Sequence, residues 1–296
     1  MARPRVGRFV SATARDAYAA AYESVRSLWP LPAHSLDVPT SFGTTRVTRS
    51  GTGAGTPLVL FHGLNGAGPS WHAAVRELAD AREVFAVDIL GTAGRSVQTR
   101  AFEADADVGR WFDEVLAGSG LGRVHLLGES NGAWVASVVA MHTRSTPTSL
   151  TLIEPNGFIA RPRLRTLLRF AALSARPTES GLRRLSDWLT PGVSPTPEEQ
   201  ELARAAMGFR PGLGWARLLT DDELGRIGSP TLAIFGAESV LSRPAEAAAR
   251  LRETVSDIDI VLVPNGGHAV HGQFPGRVRP AVLDFLAAHD PADSRL

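Results

Sequence analysis

The sequence contains no cysteine and no lysine. Without cysteine, the chain can form no disulfide, no thiolate zinc site and no thiol nucleophile. Without lysine, it can supply neither a Schiff-base amine, nor a P-loop lysine, nor a Ser–Lys dyad. All 31 side chains of the Lys/Arg class are therefore arginines, and these three kinds of amine chemistry are excluded.

Long apolar runs and an excess of charge are also missing. The net charge is +1, so no overall basic field favours nucleic acid or a membrane surface. No apolar run approaches the roughly 18 residues that indicate a transmembrane helix. The basic start of the chain is followed by Arg15, Asp16, Glu23 and Arg26, which interrupt the apolar region that a signal peptide needs. We therefore expect a cytoplasmic protein with no nucleic-acid or membrane partner.

A G-x-S-x-G motif, G-E-S-N-G at 128–132, is the most informative stretch of the chain. An apolar run at 124–127 precedes it and an Ala/Val-rich run at 133–141 follows, so a strand, a tight turn and a helix are expected. This order is typical of a nucleophile elbow, in which Ser130 sits on a strained turn between two glycines. The next backbone amide, that of Asn131, would point toward a developing oxyanion.

Short apolar runs alternate with helical stretches, which predicts an α/β fold with a mostly parallel central sheet flanked by helices. After the strand that follows the elbow, helical stretches are broken by six prolines, and we expect an inserted helical cap there. The glycine-rich segment 51–55 is expected to be a flexible turn. The predicted divisions are an N-terminal helical extension at 1–34, an α/β core at 35–155 and 227–290, a helical cap at 156–226, and a tail at 291–296.

His268 is the candidate general base, because a serine hydroxyl is a poor nucleophile unless a base takes its proton. It lies in a loop directly after a predicted strand and far downstream of Ser130, the chain order expected for this kind of elbow. Gly266 and Gly267 would let that loop bend back over the edge of the sheet. His271, three residues further on, is the weaker candidate.

Four motifs, taken together, resemble the α/β-hydrolase fold superfamily. They are H-G-L-N-G at 62–66, D-I-L-G-T-A-G-R-S at 88–96, G-E-S-N-G at 128–132 and P-N-G-G-H at 264–268. G-A-W after the elbow and the N-terminal helix are similar to small capped carboxylesterases. The resemblance implies the α/β-hydrolase fold, and it implies that the backbone amide of Leu64 completes an oxyanion hole beside that of Asn131.

The third member of a serine–histidine–acid triad is a carboxylate that orients the histidine. At this residue the sequence departs from the family pattern. The resemblance places Asp or Glu three residues after the glycine that ends the sixth core strand, and Ser239 occupies that position. Glu154 ends the strand after the nucleophile strand, a site that some family members use, and it is our predicted acid. Glu238, one residue before the expected position, is the alternative acid. The third possibility is a site without an acid.

These residues predict a serine hydrolase that cleaves a carboxylic ester, a lactone or a thioester of a small molecule through an acyl-enzyme on Ser130. Two alternatives stay open: an acyltransferase or cyclase that passes the acyl group to an alcohol or amine, and a non-enzymatic small-molecule binding module on the same fold. The sequence contains no cluster with metal-ligand spacing and no G-x-G-x-x-G fingerprint, so we predict no metal and no cofactor.

Seven arginines lie close together early in the predicted cap, opposed only by Glu179. Such a cluster could receive an anionic substrate or a carrier-protein partner, or it could form a solvated helix face. Its members are Arg161, Arg163, Arg165, Arg169, Arg176, Arg183 and Arg184.

Overall fold

The structure is a computed structural model that describes residues 5–174, 179–214 and 216–291. The strands are β1 (Arg8–Phe9), β2 (Ala33–Thr40), β3 (Gly43–Phe61), β4 (Arg82–Val87), β5 (Val97–Gln98), β6 (His125–Glu129), β7 (Ser149–Ile153), β8 (Phe209–Arg210), β9 (Thr231–Gly236) and β10 (Ile258–Val263). The helices are α1 (Ala12–Arg26), a 3-10 helix (Gly68–Ala73), α2 (Val75–Leu78), α3 (Asp105–Gly118), α4 (Asn131–His142), α5 (Leu164–Ser174), α6 (Glu179–Leu189), α7 (Pro197–Ala206), α8 (Asp221–Leu224), α9 (Pro244–Thr254), α10 (Val270–Gln273) and α11 (Pro275–His289). No helix within the described ranges is both long and apolar enough to cross a lipid bilayer.

Eight strands form one sheet in the order β10-β9-β7-β6-β3-β2, and β4 and β5 also pair with β3. The pairs β10–β9, β9–β7, β7–β6, β6–β3 and β3–β4 are parallel. Only β2 and β5 run antiparallel to β3. β7 and β9 are buried along their whole length, as expected of parallel strands with helices on both faces. The predicted α/β architecture with a mostly parallel sheet is confirmed.

Helices cover both faces of the sheet. One apolar cluster joins the sheet to α3, α4 and α9 and includes Trp111, Val135 and Leu251. The other joins it to α2 and α11 and includes Leu78 and Leu286. Because β6, β7 and β10 run parallel, the loops that follow them lie at the same edge of the sheet, which is where α/β sheets bind ligands.

The glycine-rich segment 51–55 is not the flexible turn that we expected, because it lies inside the 19-residue strand β3. The pairing of β3 with β4 changes register repeatedly over this segment. Gly51 has a φ of 85°, and a Cβ on Gly53 would collide with the backbone of Ala81. The glycines therefore allow an irregular part of β3 to lie close to the neighbouring backbone.

The N-terminal segment contacts the predicted cap region. β1 pairs antiparallel with β8, with Phe9 opposite Phe209. α1 packs against α7 in an apolar cluster that includes Tyr18, Tyr22 and Leu202. The domain boundaries given above stay a prediction. Of the residues singled out in the sequence, Arg176 and all of the tail except Pro291 lie outside the described ranges.

Candidate active site

Ser130 occupies a strained turn between β6 and α4. Its backbone has φ 53° and ψ −115°, in a region that side-chain-bearing residues rarely adopt and that is often found at functional sites. A Cβ on Gly128 would collide with the carbonyl group of Gly132, and a Cβ on Gly132 would collide with that of Phe61. Both glycines of the motif are thus required by close backbone contacts. The result is a serine hydroxyl at the carboxyl edge of the sheet.

His268 lies between Ser130 and a carboxylate. Its Nε2 is 3.0 Å from the Ser130 Oγ, and its Nδ1 is 3.1 Å from Oε2 of Glu154. The backbone N–H of His268 donates to the carbonyl oxygen of Leu189 at the end of α6, at 3.2 Å. A neutral ring with its proton on Nδ1 would donate to the carboxylate and accept from the hydroxyl. This is the geometry that a base needs to take a proton from serine.

Glu154 is completely buried at the end of β7. The backbone N–H of Gly236 donates to Oε1 at 2.6 Å, and the hydroxyl of Ser239 donates to Oε2 at 2.7 Å. With the ring of His268, these donors replace the water that the carboxylate loses on burial. Ser239, which stands where the resemblance placed the acid, is thus a hydrogen-bond donor to the carboxylate of Glu154.

The structure does not bring the alternative acid, Glu238, to the imidazole. Its side chain is exposed, and it lines a separate surface cavity with Arg163 and Arg169. The neighbouring Ser239 is buried and reaches Glu154. Because adjacent residues of this loop face in different directions, the side chain of Glu238 is turned away from the site.

Leu64 and Asn131 line the same cavity, of about 640 Å³, as Ser130. A Cβ on Gly63 would lie 3.6 Å from the Ser130 Cβ, so the loop before Leu64 passes close to the serine. Neither the Leu64 nor the Asn131 N–H has an acceptor within the described part of the chain. Both N–H groups are therefore available as donors to a group bound at Ser130.

The side chain of His62 contacts the backbone on both sides of its ring and so holds the loop that contains Leu64 in position. Its buried ring contacts the carbonyl oxygen of Gly63 through Nδ1 at 2.8 Å, and its Nε2 accepts from the backbone N–H of Ile89 at 3.2 Å. Burial lowers the pKa of His62, which favours the neutral ring that these two contacts require. The ring thus fixes the backbone just before Leu64.

The polar residues that line the cavity include three that were not predicted as parts of the site, or only as a weaker candidate: Asn156, Glu199 and His271. The amide of Asn156 donates to the Ser130 Oγ at 3.4 Å. The Nδ1 of His271, our weaker base candidate, lies 3.0 Å from Oε1 of Glu129. Glu199 on α7 contacts the ring of His72 at 3.0 Å. No motif marks Asn156 or Glu199, because both lie in the segment that follows β7, outside the four motifs.

The pKa shifts of Glu129 and His271 both favour the charged forms of the pair. Burial opposes the ionisation of Glu129, but the rings of His271 and His268 outweigh it and hold the pKa of Glu129 below its ordinary value. Burial likewise disfavours a charged His271, but Glu129 outweighs it and raises the pKa of that ring. Glu129 and His271 therefore contribute polar groups to the lining of the cavity.

Much of the remaining lining of the cavity is apolar. Most of it comes from α5, α6 and the segments around them: Pro162, Leu167, Phe170, Leu185, Leu189, Pro195 and Leu241. Cavities of this size with few polar groups are typical of small-molecule sites. Among the described residues, no group of three or more His, Asp or Glu side chains could hold a metal ion.

Comparisons with known proteins indicate the family of the chain. A family model described as the alpha/beta hydrolase family matches residues 58–281. The chain is 27% identical over 281 residues to carboxylesterase YbfK of Bacillus subtilis (strain 168), covering 90% of this chain and 92% of that one. It is 25% identical over 281 residues to the uncharacterized carboxylesterase nap of the same strain, covering 92% of both chains.

The crystal structure of carboxylesterase CesB (YbfK) from Bacillus subtilis is similar, with a TM-score of 0.84 and 26% identity, over 93% of this chain and 99% of that one. The family model spans well over half of the sequence. The strand order and the elbow of this chain, and its similarity in fold to this relative, are consistent with that match. The chain therefore belongs to the alpha/beta hydrolase family.

Proposed function

We propose that the protein is a carboxylic-ester hydrolase that works through an acyl-enzyme on Ser130. The observation that carries the proposal is the pair of contacts made by His268, at 3.0 Å to the Ser130 hydroxyl and 3.1 Å to the Glu154 carboxylate. The carboxylesterase relatives, which match over nine tenths of the chain, support the same class of reaction.

In the acylation step, His268 accepts the proton of Ser130 through Nε2 while Oγ attacks the ester carbonyl carbon. The backbone N–H groups of Leu64 and Asn131 stabilise the negative oxygen of the tetrahedral intermediate. The carboxylate of Glu154 holds the ring in the productive tautomer and stabilises its positive charge. The imidazolium then gives its proton to the departing alkoxide, and the C–O bond of the ester breaks.

In the deacylation step, a water molecule takes the place of the alcohol. His268 accepts a proton from the water, which attacks the acyl carbon, and the same two N–H groups stabilise the second intermediate. Return of the proton to Oγ releases the carboxylic acid and restores Ser130. The strained turn keeps the hydroxyl in reach of the ring throughout.

We also propose that residues 156–226 act as a cap over the site. Leu167 and Phe170 on α5 and Leu185 on α6 line the cavity, so these helices would contact the acyl or alcohol group of the substrate. A largely apolar lining that also contains the Glu129–His271 pair favours an ester with one apolar and one polar end.

Hydrolysis of a p-nitrophenyl acyl ester and labelling by a fluorophosphonate probe test the proposal. The chain should show both activities. Ser130→Ala should abolish labelling and lower kcat by about 10⁴- to 10⁶-fold, because loss of the nucleophile removes the whole triad pathway. Turnover that persists in Ser130→Ala would refute the acyl-enzyme. Labelling without turnover would indicate transfer of the acyl group to an acceptor other than water.

A further inference from the structure

A second cavity, of about 720 Å³, opens where α5 and α6 meet the loop after β9 and the first turn of α9. Within the described part of the chain it shares no lining residue with the cavity at Ser130. The helix α5 contributes to both, since Leu167 and Phe170 face the serine cavity while Arg165, Thr166 and Arg169 line the second one. The two cavities therefore lie on different sides of α5.

Positive charge dominates this second cavity. Four arginines line it, Arg163, Arg165, Arg169 and Arg243, together with two glutamates, Glu238 and Glu246. Glu246 forms an ion pair with Arg243. The other three arginines have no carboxylate partner within the described residues, and the sequence from 155 to 178 contains no acidic residue. Unpaired like charges repel one another, so an anion bound among them would be stabilised.

Three further features of the cavity suit an oxygen-rich anion. Thr166 is only 7% exposed and lines the cavity beside these arginines. The first turn of the 11-residue helix α9 also lines the cavity, and the amides at a helix N-terminus attract anions. The guanidinium of Arg169 lies 4.6 Å from the ring centroid of Trp188, which holds it in place before a ligand arrives.

We propose that this cavity is a binding site for a small, multiply charged oxyanion, either a phosphate ester or a polycarboxylate. Planar guanidinium groups bind both kinds of anion through paired hydrogen bonds. Thr166 would donate its hydroxyl to the same anion, and the ring of Trp188 would contact the carbon portion of the ligand. The site does not depend on the ester-hydrolase proposal, because the arginines and Thr166 assigned to the anion do not line the cavity at Ser130.

Isothermal titration calorimetry on the full chain tests this site, with inorganic pyrophosphate and citrate as separate probes. We expect saturable binding of at least one probe at low salt, weakened as the salt concentration rises. Arg165→Gln and Arg169→Gln should each weaken binding by about tenfold or more, because each removes a charge-assisted hydrogen bond. Preference for pyrophosphate would identify a phosphate ester as the ligand class, and preference for citrate a polycarboxylate.

Arg144→Gln is the matched control, because Arg144 is also a highly exposed arginine, with a side chain that is 86% exposed, but lies outside the cavity. It should bind the probe as the original chain does. The unfolding midpoints of all variants show whether the fold is kept. If a variant in α5 is unstable, Arg163→Gln repeats the test, because Arg163 lies before this helix. No binding of either probe, or equal weakening by Arg144→Gln, would overturn the proposal.

Discussion

At the scale of single residues, the proposed chemistry depends most on the carboxylate behind His268. Glu154→Gln keeps the size of the side chain but removes the charge that orients the ring and stabilises the imidazolium. We expect kcat/KM for a p-nitrophenyl ester to fall by about 10³- to 10⁴-fold. Glu238→Gln is the matched control and should leave kcat/KM unchanged, because that side chain is exposed and lines a different cavity. A larger loss in Glu238→Gln than in Glu154→Gln would reverse the assignment of the acid.

The sequence could predict which serine and histidine meet, and it favoured Glu154, the carboxylate that contacts His268, but it could not exclude Glu238. The G-x-S-x-G motif and the loop after β10 carry local signals, and the structure brings Ser130 and His268 within 3.0 Å of each other. The carboxylate depends on side-chain direction at two adjacent loop positions, which no spacing rule fixes. Ser239 illustrates the difficulty: in the sequence it marks a missing acid, whereas in the structure it donates a hydrogen bond to Glu154.

At the scale of elements, the packing of α4 against β3 determines where the elbow sits. Gly132 lies in the first turn of α4, where a Cβ would collide with the carbonyl group of Phe61 at the end of β3. The same turn carries the backbone N–H of Asn131. A shift of α4 away from the sheet would therefore move both the serine and one of the two proposed oxyanion donors.

Gly132→Ala should destabilise the fold by about 1–3 kcal/mol, because the added methyl group overpacks a backbone contact. It should also lower kcat more than it raises KM, because the displaced amide acts in the transition state. Urea unfolding and steady-state kinetics measure the two effects. Gly276→Ala is the control, since a Cβ there meets open space and should stabilise α11 slightly. Full activity in Gly132→Ala would contradict this account of the elbow.

Patterns of apolar residues predicted the alternation of strands and helices. The prediction was wrong at one segment, where glycines allow two backbone segments to approach each other closely. The segment 51–55 contains three glycines, which in isolation favour a turn. In the structure they belong to β3 and allow it to run beside Ala81 and Arg82 with an irregular register. Such a contact depends on the partner strand, so it cannot be derived from the local sequence.

At the scale of the whole molecule, Asp290 ties the end of α11 to three strands of the sheet. It accepts hydrogen bonds from the guanidinium of Arg82 in β4 and from the backbone N–H of Thr56 in β3. It also lies 3.1 Å from Nε2 of His125 in β6, whose Nδ1 contacts the hydroxyl of Ser149 in β7. No motif predicted this network, because its members are scattered over more than two hundred residues.

The network makes stability depend on pH through His125. Burial lowers the pKa of His125 to about 4, although Asp290 partly opposes this. Burial would raise the pKa of Asp290, but Arg82 and His125 outweigh it and hold that pKa at about 2, so Asp290 stays charged across the same range. An unfolded histidine titrates near a pKa of about 6.5. Between these two values the unfolded chain binds more protons at this position than the folded chain does.

The contribution of His125 to stability should therefore be complete above about pH 6.5 and should decrease as the pH falls to about 4. The expected loss is about 3 kcal/mol, from a pKa difference of about 2.5 units at 1.36 kcal/mol each. His125→Gln should lower stability at neutral pH but reduce this pH-dependent loss, whereas His34→Gln, at an exposed position, should retain it. Free energies of unfolding in urea at about pH 7 and pH 4 measure the difference. An identical pH dependence in His125→Gln and the original chain would mean that this ring does not couple proton binding to folding.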